Sequence, residues 1–176
     1  MTETSEKAAV HDRLAGMALF SCTILSVVAM AHHPSNFEQG TLSNVVHGAM
    51  LVVVVMTLSG FAYFASGRGF GRFGVLAGLV VYAAGAVGNI MAATINGFAV
   101  VAVARRDVSN DIFSFAWALN QAFAYAAVYA TSAAFTLWGL DLVARERGWA
   151  RWLGVVGLIA GIVPAAMLAG SAVRMD

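Results

Sequence analysis

Three of the four histidines, His32, His33 and His47, fall within sixteen residues of one another, with Glu38 between them. Imidazole is the commonest protein ligand for zinc and copper, and thioether sulfur favours Cu(I). His33, His47 and Glu38 are therefore a candidate metal set for Cu or Zn. A methionine is the alternative third ligand: Met30 repeats on one helical face with Cys22, Ser26 and His33, Met50 is one turn from His47, and Met91 reaches a similar depth. Paired histidines on neighbouring helices also hold haem b, and that use would need His47 with His32 or His33. The same imidazoles have plainer uses, capping helix ends and hydrogen-bonding to headgroups, or passing protons. A second set, Asn96, Asn120, Gln121 and Tyr125, offers carboxamides and a phenol for holding a small polar ligand or a quinone.

The elements that must position these groups are long and apolar. Hydrophobic residues make up 60% of the 176-residue chain and charged residues 11%, and the mean hydropathy is +0.80. A hydrocarbon layer about 30 Å thick needs roughly 20 helical residues to cross it, because every backbone polar group must find its partner within the segment. Five stretches qualify: 14–31, 45–65, 73–95, 113–140 and 152–173. The third can run on to Ala104, with a tilt or a break at Gly97 taking up the excess. The expected fold is all-α, a polytopic membrane protein built as one bundle of five transmembrane helices, residues 1–176 forming a single domain. No connection is long enough to separate two domains.

Seven of the ten cations lie before the first stretch or in the links that join the second to the third and the fourth to the fifth: Lys7, Arg13, Arg68, Arg72, Arg145, Arg147 and Arg151. Short loops rich in Lys and Arg stay cytoplasmic. The N-terminus is therefore expected inside, the C-terminus outside, and the histidine hairpin outside with it. Trp149 and Trp152 suit an aromatic anchor at the inner interface. Lys7, Arg13, the following apolar run and Ala29-Met30-Ala31 also resemble a secretory signal with a cleavage site. The apolar run is longer than the core of such signals, so an uncleaved first span is expected; cleavage would leave His32 as a copper-chelating terminus.

Between the first two spans, Pro34 stops a helix, and Gly40, Thr41 and Ser43 supply turn and cap chemistry for the next. Within the lipid, helices associate through small residues and hydrogen bonds. Gly74, Gly78, Ala84, Gly88 and Ala92 of the third span and Gly154, Gly157 and Gly161 of the fifth are the expected seams. Those Gly-rich faces are also where a membrane-protein partner or a second copy would dock. Gln121, Tyr125, Tyr129, Ser132 and Thr136 fall within about 80° on the fourth span, a stripe expected to face protein. Asn89 and Asn96 share a face of the third, and because the third span runs outward and the fourth inward, Asn96, Asn120 and Gln121 are expected at one level. Those amides serve either as glue between helices or as a pocket lining.

Cys22 is the single cysteine, so no intrachain disulfide and no cysteine metal motif exist. A formal charge of +1 without a basic cluster excludes a nucleic-acid partner and leaves the lipid bilayer as the expected environment. No serine or cysteine has an activating partner in the sequence, and no span carries an isolated central charge of the kind a proton-coupled transporter needs. Asp141, Arg145, Glu146 and Arg147 read as a solvated helix end.

His33-Pro34, Val46-His47-Gly48-Ala49 and Ile95-Asn96-Gly97-Phe98 together resemble a pattern in a group of small, uncharacterised bacterial inner-membrane proteins. The resemblance covers the first three spans. It implies a multi-pass protein of a bacterial inner membrane and marks His33, His47, Asn96 and Gly97; it brings no activity, substrate or cofactor, and the doubled His32-His33 departs from it. The expected function is that of a non-enzymatic binding or accessory protein with an outward pocket for a small ligand or a transition metal. A redox component carrying haem or meeting quinone, and a structural subunit of a larger complex, are the alternatives.

Overall fold

The computed structural model describes the backbone of residues 3–32, 40–106 and 109–170 and the side chains of 11–32, 41–106 and 109–170. Every described regular element is helical: α1 (Glu3–Ala31), α2 (Gly40–Arg68), α3 (Phe73–Thr94), a π-helical segment (Ile95–Val100), α4 (Val101–Ala104), α5 (Asn110–Arg145) and α6 (Trp149–Ala169). The third crossing runs unbroken from Phe73 to Ala104 through the π-helical segment, so that among the described residues five helices are long and apolar enough to span a membrane. The helix is not broken at Gly97; it widens there into the π-helical segment. Glycines punctuate the links at the basic end. Gly69, at φ 91°, donates to the Ala65 carbonyl and closes α2, and Gly148, at φ 59°, turns the chain between α5 and α6.

α5 is the spine, with α3 along one side and α6 along another; α2 packs on α3, and α1 on α2. The reason lies in the small residues. A Cβ on Gly85 would meet Thr131 Oγ1 at 2.9 Å, and one on Gly88 would meet Ala127 Cβ at 3.1 Å, so α3 and α5 approach almost backbone to backbone. On the other side, Gly154 faces Leu142 and the Gly139 carbonyl, and Gly161 faces Thr136 and Ser132. The expected seam on α3 is corrected by one position: Ala84 is exposed and Gly85 takes its place. The path of contact follows Gly74, Gly78, Gly85 and Gly88 because these lie on the face that α5 covers. The glycines of α3 and α6 are thus spent inside one chain.

Toward the basic end, α2, α3 and α5 enclose an aromatic core of Phe61, Tyr82, Phe135 and Trp138. Trp138 stacks on Phe61 with centroids 5.0 Å apart, lies over Gly78, and donates its indole N–H to the Val75 carbonyl at 3.1 Å. Among the described residues, the apolar side chains of α1 from Leu14 onward, Met17 and Val27 among them, are mostly exposed, as suits a helix bordered by lipid.

Below that core the helix ends are tied by charge. Asp141, its side chain 6% exposed, pairs with Arg145 Nε at 3.0 Å, accepts from Arg68 Nη2 at 3.4 Å and lies 3.6 Å from Arg72 Nη1. Glu146 holds Arg68 Nη2 at 2.7 Å. This corrects the expectation of a solvated helix end: α5 continues past Trp138 alongside the ends of α2 and α3, which carries Asp141 into the gap between their arginines. A carboxylate at a helix C-terminus opposes the dipole, and the three guanidinium groups offset that cost. The ion pairs also fix the links between α2 and α3 and between α5 and α6 at one end of the molecule.

Of the expected stripe on α5, Ser132 is buried and Thr136 half-buried against Gly161, but Tyr129 is 45% exposed. Neighbouring helices cover less of α5 here than its polar periodicity implies.

Candidate functional site

The first turns of α2 place Ser43 and His47 on one face, four residues apart, and both are buried, His47 to 2% exposure. The Ser43 carbonyl lies 2.8 Å from His47 Nδ1, with the Ser43 hydroxyl 3.3 Å from the same nitrogen. A carbonyl only accepts, so Nδ1 carries the proton and donates. Nε2 lies 3.2 Å from the Asn96 amide Nδ2, an N–H donor, and accepting from it matches a ring whose proton sits on Nδ1. Ser43 is thus more than cap chemistry: it selects the tautomer.

Asn96 and Gly97 belong to the π-helical segment. A Cβ at Gly97 would overlap the Cβ and Cγ of His47, so a residue without a side chain is required where α2 crosses this segment. π-Helical turns are uncommon and concentrate at functional sites. Here the turn lets Gly97 accept the imidazole while its neighbour Asn96 reaches Nε2.

A cavity of about 310 Å³ opens beside this pair, at the small end of the range for ligand pockets. His47, Asn89, Asn96 and Asn120 supply its polar atoms, and Met30 and Met50 lie in its wall. Asn120 is only 7% exposed. The side-chain amides of Asn89 and Asn120 have no hydrogen-bond partner among the described residues. Among the described residues no charged side chain lines the space. Asn89 also borders a second cavity of about 260 Å³ between α3, α5 and α6, lined by Thr131, Ser132 and Pro164.

Three helices therefore bring His47, Asn96 and Asn120 to one cavity. Gln121 and Tyr125 do not line the cavity; the Gln121 Oε1 is buried with no hydrogen-bond partner among the described residues. His33 and Glu38 lie outside the described residues. His32 serves the end of α1, its Nδ1 2.9 Å from the Val28 carbonyl. Met91 lies outside the pocket wall. Asn89 is the member that sequence reasoning passed over, although its seven-residue spacing from Asn96 puts both on one face.

Among the described residues no group of three or more His, Cys, Asp or Glu side chains could hold a metal ion. With Nδ1 committed to Ser43 and Nε2 to Asn96, His47 reaches a metal or haem iron only by displacing Asn96. No family model, curated protein or solved structure matches the chain.

Proposed function

We propose that this is a non-enzymatic membrane protein that holds a small, uncharged ligand between α2, α3 and α5, in a pocket facing the outside of a bacterial inner membrane. The observation that carries this reading is a buried His47 bonded to Asn96, beside a cavity whose other described polar groups are the unspent amides of Asn89 and Asn120. Carboxamides donate and accept, and a wall whose described residues carry no charge suits a neutral molecule with its own donor and acceptor. A ligand that leaves such groups unpaired is rejected strongly, which gives the pocket its selectivity.

Solvent extracts of protein purified in mild detergent test the reading by mass spectrometry. One neutral small molecule is expected from the wild type and is lost from an Asn96→Ala, Asn120→Ala variant of unchanged fold. Extracts of the two proteins that do not differ would overturn it. A specific observation supports a second reading, Cu(I) held by Met30, Met50 and His47, since all three border the same cavity. Elemental analysis and a visible spectrum separate the two: stoichiometric copper selects the metal, while a Soret band selects haem.

The outward orientation rests on the seven cations gathered at the opposite end. In a cysteine-free background, Asn36→Cys is expected to react with an impermeant maleimide in intact cells. Labelling seen only after lysis would reverse the orientation.

A further inference from the structure

We infer that the cleft between α1 and α2 at the basic end binds a phospholipid whose headgroup carries a primary ammonium beside its phosphodiester. The two helices touch closely where Leu19 Cδ2 comes within 2.5 Å of the point a Cβ on Gly60 would occupy. Toward the basic end they are linked again, by the Tyr63 hydroxyl donating to Asp12 Oδ1 at 3.0 Å. A cavity of about 370 Å³ lies between these helices, with Gly16, Gly60 and Gly67 among its walls and both Asp12 and Arg68 lining it. Asp12 precedes the apolar run of α1 that starts at Leu14, and Arg68 is the last residue of α2, so both stand at the level of lipid headgroups.

The charges point to a zwitterion. Asp12 uses Oδ1 for Tyr63, and Oδ2 has no partner among the described residues. Arg68 binds Glu146 and Asp141 through Nη2 alone, while its Nε is buried and without a hydrogen-bond partner among the described residues. Guanidinium N–H groups suit phosphate oxygens, and an ammonium has three donors for a carboxylate. Arg68, Arg72 and Arg145 meet Asp141 and Glu146 with one positive charge in excess, and Asp12 lines the same cavity as Arg68. A neutral headgroup with separated charges satisfies both walls. An anionic headgroup would set its net charge beside Asp12, and a trimethylated ammonium has no N–H for Oδ2.

Native mass spectrometry of the detergent-solubilised protein with equal amounts of phosphatidylethanolamine, phosphatidylglycerol and phosphatidylcholine of the same acyl chains tests this. The ethanolamine lipid is expected to bind about tenfold more than either competitor, the effect of one hydrogen bond to a charged group. Asp12→Asn keeps an acceptor for Tyr63 and is expected to lower ethanolamine binding to the choline level. Gly16→Leu has free space at its Cβ and fills the cleft while leaving both charges in place; it is expected to abolish the preference. Equal binding of the three lipids, a preference for the glycerol lipid, or an ethanolamine preference that survives in either variant overturns the inference.

Discussion

Asp141→Ala is expected to lower stability by about 3 kcal/mol, read as a fall in the denaturant midpoint of the detergent-solubilised protein. The carboxylate is 6% exposed and lies between Arg68, Arg72 and Arg145. Its removal leaves three guanidinium groups facing one another at the junction of α2, α3 and α5, with Glu146 the one remaining partner in the cluster. Exposure of the arginine side chains, from 20% for Arg68 to 60% for Arg145, lets water screen part of that repulsion, which places the value at the low end for a broken buried pair. Asp141→Asn keeps shape and one acceptor oxygen and is expected to fall between Asp141→Ala and the wild type. Arg145→Ala removes the most exposed partner and is expected to cost less than about 1 kcal/mol. Equal midpoints for Asp141→Ala and Arg145→Ala would show that burial of the carboxylate contributes nothing.

Gly97→Ala is the second large effect, because the new methyl overlaps the Cβ and ring of His47. Overpacking of a buried contact costs about 1–3 kcal/mol, and here the backbones of α2 and the π-helical segment must separate to relieve it. That movement pulls Asn96 from His47 Nε2, so ligand recovered in the extract is expected to fall with stability. His47→Gly in the same chain clears the space. The double variant is expected to regain at least about 1 kcal/mol over the sum of the single effects, although glycine in a helix carries a cost of its own, and the ligand stays lost. Strict additivity of the two substitutions would remove the close approach from the account of this site.

The parts of the site legible in the sequence follow from helical period and from the order of the spans. His47 lies near the start of α2, Asn96 near the end of the third crossing and Asn120 in the first part of α5, so antiparallel threading alone brings them to one level. Period alone does not say how far each helix is rotated about its axis. Gln121 follows Asn120 by one residue, hence by about 100°, which is enough to take it out of the cavity wall. Asn89 shares the face of Asn96 yet sits two turns away, and it enters the cavity because the small residues of α3 leave room there. The charge cluster was half legible. An Asp in the last turns of a helix is unfavourable without cations, but Arg68 and Arg72 are about seventy residues away in sequence, and only folding brings them to Asp141.

Hydropathy and charge add up along a chain, which is why this sequence by itself determined that there are five membrane-length helices and which links collect the cations. The identity of the touching side chains is a property of pairs. It depended on which glycines of α3 and α6 turned toward α5, on the π-helical segment that set Gly97 against His47, and on the depth to which α5 carried Asp141. Close packing of small residues is a cooperative choice of helix rotation and separation, and no single segment encodes it.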